Sequence, residues 1–494
     1  LILHVLEINF SCFGDEFMAV IVFEPKTFEI EVEVLIIGGG ACGLTAALAA
    51  KDAGAEPLVL ERWATCSGSS SMSLGALCAA GTYEQTHKGI DDNAEVFLAD
   101  IMHKTGGSAD PVIARTVAEN SGPALNWLAS RHDVVFELDL GWRPAFGHTR
   151  QRLHAVAERT GYDMMARLLN ACEKSCIDIM TEAQVTDLFA TPEGLVTGVR
   201  VKRPDGSLED IGCKALVLAT SGFGANRAMI AHHIPDMQDA RYFGWEANQG
   251  DGIVWGQALG GAVSDMDAYQ GLGLLAEPQG IDVNPKLLIE GGFQINSDGV
   301  RFSHELDDVS GQGARVIRQP GGFGWVVYDQ RIHKIASDFP QYKALMALNA
   351  AKTANTAPDL ARLMAIEPDR FKQTLDAVRS LQQVGGIDEF GRRFDAPSLT
   401  APYYALKVTG ALFHTQGGLE IDATARVKRA DKSLLGNLFA GGGAARGISG
   451  KGPSGYLPGA GLCCAVTLGY VAGQSAARLA RAQEVRDGQN STPV

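Results

Sequence analysis

The stretch Val34-Leu35-Ile36-Ile37-Gly38-Gly39-Gly40-Ala41-Cys42-Gly43-Leu44 decides the fold. Residues 31–37 alternate and then run apolar into the glycines, which is how a buried parallel strand reads. Residues 44–53 are rich in Ala and Leu and read as a helix that Gly54 ends. Pro57–Leu60 gives a second strand, closed by Glu61. Together they make a βαβ unit. Within it Gly38, Gly40 and Gly43 stand at G-x-G-x-x-G spacing, each with a mechanical task. The first makes the tight turn, the second lets backbone N–H groups reach a pyrophosphate at the helix N-terminus, and the third lets helix pack on strand. A carboxylate at Glu61 suits a ribose diol and disfavours a 2′-phosphate. The turn therefore points to a bound dinucleotide without choosing which one.

Outward from that turn, 494 residues are too many for one compact core and imply two or three domains. A formal net charge of -14 argues against nucleic acid as a partner, since no basic patch meets phosphates. Nine cysteines without framework spacing fit reduced, buried thiols in a cytoplasmic protein. Neither Cys172 with Cys176 nor Cys463 with Cys464 offers a four-ligand metal site, so no metal is expected. Residues 1–17 lack a basic segment followed by a long apolar one, and Met18 reads as a natural start. Residues 32–50 are apolar enough to mimic a membrane span, but the glycines divide them into strand and helix, so no membrane span is expected.

Further along, residues 93–105 and 110–131 read as helices, the second opening with Asp110 as N-cap and Pro111 at the first helical position. Residues 182–203 read as a β-meander, and residues 215–219 as a buried strand running into Thr220-Ser221-Gly222. From about 268 to 407 the texture changes to strands near 324–328, a charged helical stretch at 340–383 and a Gly/Asp-rich loop at 385–393. Glycine-rich texture then returns to the end. The order implies an α/β domain interrupted by an insertion, with parts at 18–267 and 411–494 and the insertion at 268–410.

Several segments occur in one order: Ser67-Gly68-Ser69-Ser70, Leu74-Gly75-Ala76, Ala219-Thr220-Ser221-Gly222-Phe223-Gly224 and Gly250-Asp251-Gly252. Asn296-Ser297-Asp298-Gly299-Val300-Arg301-Phe302, His414-Thr415-Gln416-Gly417-Gly418 and Leu438-Phe439-Ala440-Gly441-Gly442 follow. In that order they resemble the flavoprotein subunit family of fumarate reductase and succinate dehydrogenase, over nearly the whole chain from about residue 31. The resemblance implies a Rossmann-like FAD-binding domain of glutathione reductase type, interrupted by an α+β capping domain that closes over the flavin. It also implies FAD held by Gly38, Gly40, Ala41, Cys42, Gly43, Glu61, Arg62, Ser67, Gly68, Ser69, Ser70, Gly75 and Ala76. Gln184, Val185, Ala219, Thr220, Ser221, Gly222, Gly442, Gly459, Ala460, Gly461 and Leu462 complete that set.

The departures speak to function. Residues 67–73 carry no histidine where a succinate dehydrogenase-like chain bonds covalently to flavin, so FAD is expected to be non-covalent. Dicarboxylates want bidentate cationic partners, yet the family's arginines are missing. Val309 stands where the proton-donor arginine falls, residues 452–461 hold no arginine, and Gly271-Leu272-Gly273 replaces His-Pro-Thr after Gln270. Only His414 remains of that set.

In their place stands Gly455-Tyr456-Leu457-Pro458-Gly459-Ala460-Gly461. It is similar to the Tyr-Pro-Gly-x-Gly segment of the 3-ketosteroid dehydrogenase branch, with one extra residue, Leu457. That resemblance implies catalysis by Tyr456, His414 and the Gly461 N–H, with the ketone oxygen polarised while hydride passes to flavin. Tyr456 is open as base, electrophile or packing, and His414 as substrate-binding or structural. Tyr269, Tyr403 and Tyr404 are candidates for a second hydroxyl or for packing. The cluster from His148 to His154 reads as an anion site or, preferably, a structural loop, and Arg446 is left unassigned. The expected partners are a small-molecule substrate, a cyclic ketone, and an electron acceptor the sequence does not identify. The expected reaction is desaturation next to the ketone. Reduction of an unsaturated acid and a plain electron-transfer flavoprotein are the alternatives.

Overall fold

Once Glu33 is passed the sequence turns fully apolar, and the strand it forms, Ile30–Ile37, buries its last four residues. The computed structural model describes residues 5–8, 19–22, 26–141, 144 and 146–490, and the expected start at Met18 lies outside them. The glycines end that strand and release the helix Ala41–Asp52, ten of whose residues are buried. Pro57–Leu60 then pairs in parallel with Ile30–Ile37. The membrane-like run at 32–50 is thus a core strand and a core helix.

The chain forms two compact units. The first comprises Leu1–Ile234, Gly244–Tyr269 and His414–Val494. Its ten-stranded sheet changes character along one long strand, Leu208–Leu218. The first part of that strand pairs antiparallel with Val196–Lys202, which pairs antiparallel with Gln184–Ala190. The second part runs parallel between Ile30–Ile37 and Leu434–Ala440. All four residues of Pro57–Leu60 and the last four of Leu208–Leu218 are buried, which suits a parallel sheet covered on both faces. The α/β arrangement expected from the glycine turn is the one observed.

The long helix Ala460–Asn490 packs against Ala41–Asp52. A side chain at Gly469 would fall 2.4 Å from the Cys42 carbonyl oxygen, and one at Gly473 2.1 Å from that of Ala46. Two glycines one turn apart therefore let the two backbones touch. The segment Ala460–Gln483 is the one described helix long and apolar enough to cross a membrane, but most of it is buried in this contact. It is a core helix.

The second unit comprises Pro235–Phe243 and Gln270–Phe413. Its sheet is built on Tyr403–Thr415, which pairs with Phe323–Asp329 and Lys352–Ala354 antiparallel and with Arg241–Tyr242 in parallel. The core gathers Phe293, Val326, Tyr328, Leu360, Phe371 and Leu406. The stretch at 340–383, expected to be helical throughout, is three helices, Pro340–Ala347, Ala357–Met364 and Pro368–Val384, with a strand inserted. Asn349 turns left-handed at φ 53° after the first helix, and Thr353 then pairs opposite Tyr404. Cross-strand pairing overrides local helix propensity there.

Arg301, Glu305, Asp388 and Arg392 form a buried ion cluster in the same unit. Burial pushes the Glu305 carboxyl up, but the Arg392 and Arg301 guanidiniums outweigh it and pull its pKa down to about 2. Arg301, part of a segment carrying the family resemblance, is thus committed to structure.

Candidate cofactor cleft and active site

Inside the first unit the glycine turn opens one wall of a cleft of about 810 Å³. Gly38 has φ 109°, and a Cβ there would lie 2.4 Å from the carbonyl oxygen of Ala219. Only glycine fits where two strand ends meet. At Gly43 the Cβ would lie 1.8 Å from the Gly38 carbonyl oxygen, so helix and strand touch through it. Gly40 is the helix N-cap and has no side-chain cap, which leaves the first turn open to an anion. Ser70 Oγ accepts from Ala41 N at 3.1 Å and ties the Ser-Gly segment to this turn.

Glu61 is held from both sides. Its Oε2 accepts from Gly39 N at 2.8 Å and its Oε1 from Trp63 N at 3.0 Å. Arg62 is ion-paired with Asp251, and Asn248 Nδ2 donates to Ser69 Oγ at 2.7 Å. Across the cleft, Thr220 Oγ1 is buried without a hydrogen-bond partner, and Ser221 is left-handed at φ 64°. An uncapped helix start, a fixed carboxylate at a strand end and a spare buried hydroxyl suit a dinucleotide's pyrophosphate, ribose and polar edge.

The cleft gathers Gly38, Gly40, Ala41, Cys42, Glu61, Arg62, Gly68, Ser69, Ser70, Val185, Ala219, Thr220, Ser221 and Gly442. The other candidates lie off its lining, for local reasons. Gln184 is exposed where its neighbour Val185 points inward, as strand alternation requires. Gly43 packs on Gly38, Ser67 is the N-cap of Gly68–Met72, and Gly222 faces Thr415 Oγ1. Gly75 abuts the Thr160 carbonyl, and Ala76 opens the short strand Ala76–Cys78. Gly459, with φ 82°, abuts Cys78 N and leads into Ala460, Gly461 and Leu462 at the start of the long helix. The sequence reading missed Trp63, Trp245, Asn248, Trp255, Gly443 and Ala465 on the lining. Trp63 and Gly443 adjoin recognised motifs, but Trp245 and Asn248 carry no such signal.

A second cluster lies on this Gly459–Leu462 side. The rings of His414 and Tyr456 meet edge to face, centroids 5.8 Å apart. A Cβ on Gly461 would stand 2.7 Å from His414 Cε1 and 2.9 Å from Nε2, so the glycine makes room for the imidazole. Gln416 Nε2 donates to His414 Nδ1 at 2.7 Å, and Gln416 Oε1 accepts from Ser449 Oγ at 3.1 Å. Nδ1 thus accepts and Nε2 carries the proton. Burial drives the His414 pKa down to about 4, a backbone hydrogen bond at Thr415 opposing it less strongly. Burial likewise pushes the Tyr456 hydroxyl up, while backbone hydrogen bonds from Gly461 and Gly459 oppose it less strongly. Both rings are neutral near pH 7. That direction is opposite to the one a tyrosinate base, one of the roles open for Tyr456, would need.

The remaining candidates have structural partners. Arg446 Nε donates to Asp265 at 2.6 Å and Nη1 to Asp110 at 2.9 Å. Tyr404 stacks on His333 and donates to Gln330 at 2.6 Å within the second unit, where Tyr403 is buried too. Tyr269 is buried in the first. His154 bonds Thr82 Oγ1 and the Arg152 carbonyl, and Arg152 is enclosed by acids.

The FAD binding domain family model matches residues 33–463. A probable fumarate reductase, Ifc3, of Shewanella frigidimarina (strain NCIMB 400) is 29% identical over 447 residues, covering 90% of this chain and 75% of that protein. The open conformation of a flavocytochrome c3 fumarate reductase is similar at TM-score 0.77 and 28% identity, over 92% of this chain and 79% of that one. The 3-ketosteroid-Δ4-(5α)-dehydrogenase from Rhodococcus jostii RHA1 is similar at TM-score 0.75 and 23% identity, over 92% and 98%, a likeness of fold. With a matching family model and a cleft shaped for the dinucleotide, the chain belongs to the FAD binding domain family and is an FAD-dependent oxidoreductase.

Proposed function

We propose that the protein introduces a carbon–carbon double bond next to the carbonyl of a cyclic, steroid-like ketone. The observation that carries this is the edge-to-face pair of a buried Tyr456 and a half-buried His414, both uncharged near pH 7. Bound FAD supplies the two-electron acceptor for hydride. Desaturation removes a hydride from the carbon after the one beside the carbonyl, and a proton from the carbon beside the carbonyl that solvent water takes up as the enolate forms. The Tyr456 hydroxyl donates to the carbonyl oxygen, and that hydrogen bond strengthens as enolate charge develops. Backbone N–H groups of Gly459 and Gly461 facing the phenol oxygen polarise the hydroxyl further. His414, with its proton on Nε2, is a second donor rather than a base.

An unsaturated acid is the second reading, supported by the 29% and 28% identities to fumarate reductases. A carboxylate in a buried site needs a cationic partner, and among the described residues no charge shifts His414. This favours the neutral ketone. The eight described cysteines are free thiols, which supports a reducing, cytoplasmic compartment.

Anaerobic titration tests the choice. A 3-ketosteroid should bleach the flavin absorbance, and fumarate should not reoxidise the pre-reduced protein. The reverse pair of results would replace the ketone with an acid. An electron-transfer flavoprotein without a substrate would respond to neither.

A further inference from the structure

Among the buried basic side chains that the carbonyl chemistry leaves unused are His148 and Arg152. Arg152 Nε and Nη2 donate to the two oxygens of Asp92 at 2.7 and 2.8 Å, and Nη1 donates to Asp100. Its guanidinium lies 4.8 Å over the Phe97 ring. Asp100 also accepts from Thr149 N at 2.8 Å and Thr149 Oγ1 at 2.9 Å. Residues 149–152 are thereby fixed to the helix Ala94–Lys104.

Between this anchor and the Tyr456 loop sits the His148 ring. Its Nε2 is 3.0 Å from the Pro458 carbonyl oxygen and its Nδ1 is 3.4 Å from Arg152 Nη1. A carbonyl oxygen only accepts and a guanidinium only donates. Both contacts demand the same tautomer, with the proton on Nε2. Burial, reinforced by the Arg152 charge, lowers the His148 pKa to about 4, so the ring stays neutral near pH 7.

Residue 147 works with it. Gly147 has φ 107°, and a Cβ there would stand 2.8 Å from Leu457 Cδ2 and 2.9 Å from Lys104 Cδ. The missing side chain is the notch in which Leu457 lies, 1% exposed. Two consecutive residues, 147 and 148, thus hold two consecutive residues, 457 and 458, the first by shape and the second by a hydrogen bond. Leu457 is the residue this chain has in addition to the Tyr-Pro-Gly-x-Gly pattern.

We propose that His148 is a positioning residue for Tyr456: by donating from Nε2 to the Pro458 carbonyl, it fixes the loop at 455–461 so that the Tyr456 hydroxyl meets the substrate's carbonyl oxygen. The link to turnover rests on the ketone reading above; the fixing of the loop does not. The test uses the full-length holoprotein with His148→Leu, which fills the volume without a donor, and His148→Gln, whose amide N–H reaches near the Nε2 position. Amide exchange across residues 455–463 should quicken about tenfold in the leucine variant and stay near the wild type in the glutamine variant. On the ketone, kcat should fall about tenfold or more in the leucine variant with KM and FAD content unchanged, and recover to within about threefold in the glutamine variant. In a Tyr456→Phe background, His148→Leu should cost nothing further.

Unchanged exchange in the leucine variant overturns the clamp. Faster exchange with undiminished kcat, or an equal loss in the Tyr456→Phe background, overturns its role in positioning Tyr456. If no ketone reduces the flavin, the ketone reading falls by itself. The exchange data and the same variant pairs, measured on whichever substrate the flavin accepts, then decide the clamp.

Discussion

The cleft at residues 38–43 and the pair at residues 414 and 456 belong to one unit but are built on opposite terms. The cleft is made by what is missing: glycines without side chains, a helix start without a cap, a hydroxyl without a partner. The ring pair is made by what is filled: a half-buried histidine edge to face with a buried tyrosine, and a glycine carved to fit the imidazole. A surface of backbone donors suits an anionic cofactor that brings its own chemistry. A neutral, enclosed pair of donors suits a reacting carbonyl whose charge appears only in the transition state.

The harshest way to break the comparison is to fill the cleft side. Gly43→Ala places a methyl 1.8 Å from the Gly38 carbonyl oxygen, with no flexible neighbour to yield. Stability should fall by about 3 kcal/mol or more, and the purified protein should lack flavin absorbance. Full FAD content in this variant would mean that the turn shifts freely. On the other side, Tyr456→Phe removes one oxygen and keeps the packing. Turnover should drop about 10²–10³-fold with FAD content unchanged, and a drop of less than threefold would leave Tyr456 as packing alone.

The same contrast explains what was legible in the sequence. The α/β fold and a bound dinucleotide followed from residues 34–61, because the glycine spacing, the strand before it and the acid after it are local constraints that backbone geometry imposes. FAD followed instead from the family resemblance of later segments. Asp110 and Pro111 likewise gave a helix start, and the side chain of Asp110 caps Val112 N and Ile113 N. The upward shift of the Tyr456 hydroxyl was not legible, because it comes from burial and then from Cys78 and Cys464, distant in sequence or on the next helix turns. Trp245 reaches the cleft edge to face with Trp63, a pairing no local pattern announces. The strand at Lys352–Ala354 escaped for the same reason, since its partner is fifty residues away in Tyr403–Thr415.

Acid sharpens the comparison further. His148, His154 and His414 each have a pKa lowered by burial to about 4, against an ordinary value of 6.5. Between those values the unfolded chain binds more protons than the folded one, so stability is full above about pH 6.5 and is lost as pH falls toward 4. Each histidine contributes up to roughly 3 kcal/mol of that loss. Thermal unfolding followed from pH 7.5 to 4.5 should show a midpoint that declines steadily below pH 6.5. The cleft, which is built without a buried histidine, should keep FAD until the fold itself gives way. Release of FAD well above the unfolding transition would show that cleft and ring pair titrate separately.

The smallest effect is expected at a thiol. Burial raises the pKa of Cys42, Cys66, Cys172 and Cys213 to about 12 and that of Cys464 still higher, and a hydrogen bond with Cys78 together with burial does the same for Cys463, which leaves them poor nucleophiles at pH 8. Cys176 is the exposed one among the described cysteines. It follows the helix Gly161–Lys174 in the left-handed conformation, φ 52°, with its N–H donating to the Glu173 carbonyl and that of Ile177 to Cys172. That position prefers glycine, because a Cβ costs more there than glycine's added freedom in the unfolded chain. Cys176→Gly should therefore raise stability by about 0.5 kcal/mol, leave FAD content and turnover unchanged, and remove the fast phase of alkylation assigned to that residue by peptide mapping. Rapid labelling of Cys463 or Cys464 in the variant would contradict the enclosure of the ring pair, since those two thiols lie on the helix that begins beside it.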